Sequence, residues 1–285
     1  MWHSALALAL AALVAACAHS RPRRWETLPV PPPMPAARTS GMAPVNGIRV
    51  YYAIYGSGPP LLLLHGGLAS AECWSAQIPA FAAAHEVIVM DSRGHGRSTR
   101  DARPYSYDLM AADVIALLDH LHVRKTSIVG WSDGGIIGLD IAIHHPERVD
   151  HLFAFGANYS VSGLKPGAER APVFAAYIER AGKDYARLSP TPRDYEAFVA
   201  AISAMWSTQP EFTPAELARI AAPTMIADGE YDEAIRREHT EALARAIPGA
   251  RLLIMPRVSH FAHWQAPDEY NRAVLAFIDA PATGR

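Results

Sequence analysis

Cysteine is scarce, with only Cys17 and Cys73 in 285 residues. Two thiols cannot staple a small secreted scaffold or build a cysteine-rich zinc site. Neither charge is in excess: 26 basic residues face 28 acidic ones, for a formal charge of −2. No basic field exists to hold nucleic acid, and no acidic tract suggests a solvated, disordered chain. Long hydrophobic runs are absent too. The longest, from Ala5 to Ala16, falls short of the roughly 20 residues that cross a bilayer as a helix. What remains is ordinary for a folded soluble domain: 50% hydrophobic, 19% charged and 9% aromatic residues.

The run ALALALAALVAA fits the apolar core of an export signal within residues 1–18, although the basic residue expected before it is replaced by His3. Val14-Ala15-Ala16-Cys17 is similar to a bacterial lipobox, which would make Cys17 a lipidated first residue and tether the protein to a membrane. Cleavage after Ala18 competes with that reading. Either way the expected location is exported, periplasmic or outer-membrane-tethered, rather than cytoplasmic. Residues 19–44 then carry Pro22, Pro29, Pro31, Pro32, Pro33, Pro35 and Pro44. Proline fixes φ and removes a backbone donor, so this stretch is expected to be an extended, unpacked linker.

From residue 45 to 285 the pattern alternates. Short β-branched or apolar runs (48–55, 61–64, 87–90, 127–129, 149–155, 224–227, 251–255) read as strands, several buried on both faces. Between them, residues 74–84, 107–121, 134–144, 235–247 and 268–278 have helical spacing. Such alternation implies an α/β fold with a mostly parallel sheet covered by helices. One block, about 160–219, breaks the rhythm: it offers helices (173–181, 194–206) divided by prolines, as a helical cap over an active site would.

The sharpest motif is Gly130-Trp131-Ser132-Asp133-Gly134, a G-x-S-x-G between an apolar strand and a helix. In that setting the turn lifts the serine hydroxyl above the sheet edge, with a helix N-terminus stabilising nearby negative charge. Here the chain resembles an α/β-hydrolase, and the resemblance runs from about Val45 to about Ala280. His65-Gly66-Gly67-Leu68 is similar to the family's oxyanion loop. Asp91-Ser92-Arg93-Gly94-His95-Gly96-Arg97-Ser98 resembles its D-x-R-G-x-G-x-S segment. The resemblance implies Ser132 as nucleophile and His260 as base, with His263 the competitor. It implies Asp232 as the acid, leaving Asp228 as a loop residue that bonds nearby amides. It places the oxyanion hole on the backbone N–H groups of Asp133 and Gly67, with Leu68 an alternative to Gly67. His65 is expected to anchor its loop. No cofactor or metal is implied, since His260-x-x-His263 lacks a third ligand.

Asp133 is unusual beside a developing oxyanion. A carboxylate about 5 Å away costs on the order of 3 kcal/mol at an effective dielectric near 20, unless a positive group on the substrate reverses the sign. An acidic residue in the first turn of a helix is also favourable by itself, and would then face solvent. The run Gly-Trp-Ser-Asp-Gly-Gly into Ile136, with Gly156-Ala157-Asn158, is similar to the valacyclovirase and biphenyl-hydrolase-like group. That group's acidic neighbour binds the α-amino group of amino-acid esters. The expected activity is hydrolysis of a small carboxylic ester or lactone. An α-amino-acid ester hydrolase is the alternative, and a carbon–carbon bond hydrolase or a non-catalytic binding protein of the same fold is less favoured. Ser132 disfavours dehalogenase or epoxide chemistry, where that position is Asp. Asp133, Leu68, Trp74, Tyr159 and Trp206 are candidate substrate contacts, with Trp264 a further aromatic.

Overall fold

The computed structural model describes residues 22–280, so the expected export signal and Cys17 lie outside the described residues. Strands β1 (Thr39–Val45), β2 (Ile48–Gly56), β3 (Pro60–Leu64), β4 (Glu86–Met90), β5 (Thr126–Trp131), β6 (Val149–Phe155), β7 (Thr224–Gly229) and β8 (Arg251–Met255) form one sheet. The eight strands are ordered β1-β2-β4-β3-β5-β6-β7-β8. β1–β2 and β2–β4 are antiparallel and the remaining pairs parallel.

The continuous apolar runs are explained by burial on both faces. Successive side chains of a strand point to opposite sides. Accordingly Leu62, Leu64, Ile88, Ile128 and Leu152 join one core, while Leu61, Leu63, Val87, Val129 and Phe153 join another across the sheet. Helices α1 (Ile78–Phe81), α2 (Tyr107–His120) and α3 (Asp133–His144) follow β3, β4 and β5. α2 and α3 pack into the first core and α1 into the second. Between β6 and β7 come α4 (Pro172–Leu188), α5 (Tyr195–Trp206) and α6 (Pro214–Leu217). α7 (Arg237–Ala246) precedes β8, and α8 (Ala262–Gln265) and α9 (Pro267–Ile278) end the described chain. Fully buried leucines such as Leu62 each contribute roughly 1.5–3 kcal/mol by leaving water.

Two expectations are corrected. The proline-rich stretch is extended but not unpacked. Its last residues form β1, where Pro44 stands opposite Arg49. β1 is an edge strand, so a missing N–H is tolerated there. Upstream, Trp25 stacks on Tyr231 with ring centroids 4.0 Å apart. Arg180 of α4 donates to the carbonyls of Leu28 and Pro29 at 2.7 and 2.8 Å, and Gln265 donates to that of Thr27 at 2.9 Å. Proline removes donors but leaves carbonyl acceptors, and those acceptors dock the strap. The helix expected over 74–84 shrinks to a 3-10 turn at Ala71–Trp74 and the short α1, because Pro79 is compatible only with a helix's first turn.

Candidate active site

Ser132 sits between β5 and α3 with φ 55° and ψ −121°, a strained conformation for a residue with a side chain. The turn is possible because its flanking residues lack Cβ atoms. A Cβ on Gly130 would lie 2.3 Å from the Gly134 carbonyl oxygen, and one on Gly134 would lie 2.0 Å from that of Leu64. Backbone N–H groups in the first turn of α3, beginning with Asp133, have no intrahelical acceptor and carry the positive end of the helix dipole.

Asp232 and His260 reach the same place from the loops after β7 and β8. Nδ1 of His260 lies 2.6 Å from Oδ2 of Asp232, and both residues are buried. The N–H groups of Ala234 and Ile235 donate to the other oxygen of Asp232 at 2.6 and 2.8 Å. Burial works against the charged form of each. For His260 the neighbouring Asp232 carboxylate more than compensates and carries the imidazole above its ordinary value. For Asp232 the imidazole likewise prevails and holds the carboxyl below the usual range. A proton on Nδ1, facing the carboxylate, leaves Nε2 as the basic atom.

Asp228 is a different group. It ends up inside β7 rather than in a loop, where Gly229 N–H and the Thr240 hydroxyl donate to its two oxygens at 2.8 and 2.7 Å. Burial and the adjacent Asp232 push its pKa well up. Glu233 accepts from the backbone N–H of His260 at 3.1 Å. His263, expected near the start of the last helix as a polar residue, is instead fully buried, its ring 4.4 Å from that of Trp131.

Ser132 and His260 line a cavity of about 460 Å³ between the sheet and the cap, together with Gly67, Leu68, Asp133 and Trp206. A larger hollow of about 900 Å³ lies between the strap and α4, but its walls include none of Ser132, Asp232 and His260. Asp133 does not face solvent. Tyr107 donates to its Oδ1 at 2.9 Å, and Trp206 donates to Oδ1 and Oδ2 at 3.1 and 2.9 Å. Burial raises its carboxyl to about 6 even though both donors favour the anion. Gly67 leaves room for this arrangement: a Cβ there would stand 2.3 Å from the Trp206 ring and 2.7 Å from Asp133 Oδ2. The Tyr177 hydroxyl, from α4, donates to the Gly67 carbonyl at 2.5 Å and fixes the loop.

Trp74 and Tyr159 are not on this cavity wall. Trp74 is fully buried against His263 and Tyr270, and Tyr159 stacks on His239 at 3.9 Å. Trp264 borders the larger hollow and donates to the Cys73 carbonyl at 2.8 Å. The sequence reading missed Tyr107, Lys165, Phe174, Tyr177 and Gln209, all of which line the cavity. All five come from outside the recognised motifs, on α2 and in the block between β6 and β7, and no local signal marked them. The remaining motif residues hold the scaffold. His65 Nδ1 lies 2.8 Å from the Gly66 carbonyl oxygen, and its Nε2 accepts from the Ser92 N–H at 2.9 Å. Asp91 accepts from the N–H groups of Ala71 and Arg97, both at 2.7 Å.

A family model described as "Alpha/beta hydrolase family" matches residues 61–273. The serine hydrolase BPHL of Mus musculus is 31% identical over 263 residues, covering 85% of this chain and 87% of that protein. A putative carbamate hydrolase, RutD of Azorhizobium caulinodans, is 31% identical over 249 residues, covering 80% and 94% respectively. The solved structure of Est816, an N-acyl homoserine lactone degrading enzyme, is similar with a TM-score of 0.65 at 30% identity, covering 83% of this chain and 100% of that one.

Proposed function

The chain belongs to the alpha/beta hydrolase family, and on that premise we propose that it hydrolyses a small carboxylic ester or lactone through an acyl-enzyme intermediate on Ser132. The observation that carries this reading is the buried His260–Asp232 pair, 2.6 Å apart, with His260 on the wall of the cavity that Ser132 also lines. The Ser132 hydroxyl attacks the substrate carbonyl while His260 Nε2 takes its proton. The negative oxygen of the tetrahedral intermediate accepts from the backbone N–H of Asp133 and from the Gly67–Leu68 loop. Such donors are worth roughly 3–4 kcal/mol each in enzymes that depend on them. Collapse expels the alcohol, which takes the proton back from His260. Water, deprotonated by the same imidazole, then releases the acid. The likeness to a lactone-degrading enzyme supports this class of substrate.

One observation favours a second reading. Asp133 lines the reaction cavity, its carboxylate held by Tyr107 and Trp206 and, among the described residues, in no ion pair with a cation of the protein. A substrate ammonium would fill that role, making the enzyme an α-amino-acid ester hydrolase. A fluorophosphonate probe and a pair of butyryl and aminoacyl esters test both readings. Labelling and turnover should vanish in Ser132→Ala, and persistence of either would remove the acyl-enzyme mechanism. Asp133→Asn should lower kcat/KM selectively for the aminoacyl ester if the second reading holds. Equal effects on both esters return Asp133 to a structural role.

A further inference from the structure

The proton path of the proposed reaction divides the cavity into two sides. The leaving oxygen must receive its proton from His260, so the alcohol half of an ester lies on the His260 side of Ser132. That side is built by two segments zipped together. Leu164 bridges Ile235, Lys165 N–H donates to the Ala234 carbonyl at 2.8 Å, and Arg236 N–H donates to that of Gly163 at 2.9 Å. The pairing fixes the backbone of Lys165 beside the loop that carries Asp232.

Lys165 lines the cavity, and its ammonium donates to the backbone carbonyl of Asp232 at 2.5 Å. An ammonium has three donors, and this bond uses one. Two other charged groups share the wall, and neither pairs with Lys165. Glu169 takes the guanidinium of Arg170 at 2.7 Å. Asp133 accepts from Tyr107 and Trp206. Among the described residues no carboxylate forms an ion pair with Lys165. The same wall carries the apolar side chains of Leu164, Ala168, Phe174 and Ile235. An apolar wall lowers the local dielectric and strengthens whatever charge interaction forms against it.

We propose that Lys165 is a specificity residue that receives an anionic group, a carboxylate, on the alcohol half of the substrate. The inference rests on the ester-hydrolase reading above and names its substrate class further. The two charges then orient the ester. With the carboxylate toward Lys165, the acyl half faces Asp133. Turned round, the carboxylate would meet Asp133 and be repelled. The products are an acid released from Ser132 and a hydroxy acid released first.

The test compares the butyryl ester of glycolate with the butyryl ester of glycolamide, which share an acyl group and differ by one charge. Each kcat/KM is divided by the ester's own hydroxide-catalysed rate, and the ratio of the two is read. In the wild type the ratio should favour the glycolate ester by about fivefold or more, equal to about 1 kcal/mol, and should decline as salt is added. Lys165→Met should bring the ratio to about one, Lys165→Arg should keep it, and Lys165→Glu should invert it. Taking a ratio divides out any general loss from the lost bond to the Asp232 carbonyl. A wild-type ratio of one or less overturns the proposal even if no variant folds, as does a preference that survives Lys165→Met. If neither ester turns over and Ser132 is not labelled by the fluorophosphonate, the hydrolase reading fails and this one falls with it. Turnover of both esters without preference sinks Lys165 alone.

Discussion

Replacing Asp133 by asparagine removes one charge from a dry site and keeps a carbonyl oxygen for Tyr107 and Trp206 to bond. The size of the effect follows from the carboxyl's displacement from an ordinary value of 3.8 to about 6, caused first by burial and opposed by the two donors. A tenfold change in acidity corresponds to about 1.4 kcal/mol, so the ionised carboxylate costs the folded state about 3 kcal/mol once fully charged. The sign is set by which state holds the proton more tightly. The folded protein does, so stability falls as pH rises from about 4 to about 6, and the whole cost is present above that window. Linkage between those two values puts roughly half of that cost in place at pH 5 and nearly all of it at pH 8. The asparagine variant lacks this contribution. Its own unpaired amide carries a penalty of about 1–3 kcal/mol, but that penalty does not vary with pH.

The quantity to measure is therefore a difference of differences. Urea unfolding of the wild type and Asp133→Asn at pH 5 and pH 8 should show the variant gaining roughly 1–2 kcal/mol relative to wild type between the two. Groups that do not feel Asp133 cancel, and His260, whose imidazole the Asp133 charge helps to raise, is the one near the site that does not cancel fully. A variant whose relative stability is the same at both pH values refutes the reasoning. Asp133 would then be solvated in solution, and the argument for an ammonium-binding carboxylate in the cavity would go with it.

The two aspartates near His260 should separate by charge. Asp228 bonds Gly229 and Thr240 rather than His260, so Asp228→Asn should keep most of the turnover, whereas Asp232→Asn should lose on the order of 10⁴ in kcat because the imidazole loses its orienting anion. Comparable losses from both would contradict the assignment of Asp232 as the acid. Arg180→Ala should release the N-terminal strap. It removes two bonds to carbonyls and the guanidinium lying 5.3 Å from the Trp264 ring, for a loss of about 2 kcal/mol. A fall of several degrees in Tm and faster tryptic cleavage near Arg23 and Arg24 are the readouts, and an unchanged Tm would mean that the strap is not docked.

The strands of the central sheet were legible because burial on both faces leaves unbroken apolar runs, and Ser132 was legible because its turn is encoded within five residues. β1 was legible in principle as well. Asn46-Gly47 has positive φ at both residues and joins Val45 to Ile48, which is the chemistry of a two-residue hairpin. The seven prolines around it mask that signal, because proline removes backbone donors and is otherwise uncommon in strands. α4 shows a similar lapse: Val173, Tyr177, Ala181 and Tyr185 repeat every four residues and all are buried, so the stripe itself carries the helix past Ala181, where the sequence reading stopped.

Asp133 marks where local reasoning ends. Its position in the chain supports two opposite orientations with equal force, since an acidic residue at a helix start is favourable in solvent and equally suited to hold a substrate cation. The decision is made by Tyr107 and Trp206, which stand 26 and 73 residues away and belong to different layers of the fold. Trp74 and Tyr159 failed for the same reason in reverse. An aromatic side chain suits a core as well as a cavity, and only the face of the sheet to which it turns tells them apart. Motifs encode the reaction because catalytic turns are made by neighbours in sequence. The cavity beside those motifs is walled by residues such as Lys165 and Trp206, whose meaning depends on contacts that only the folded chain brings together.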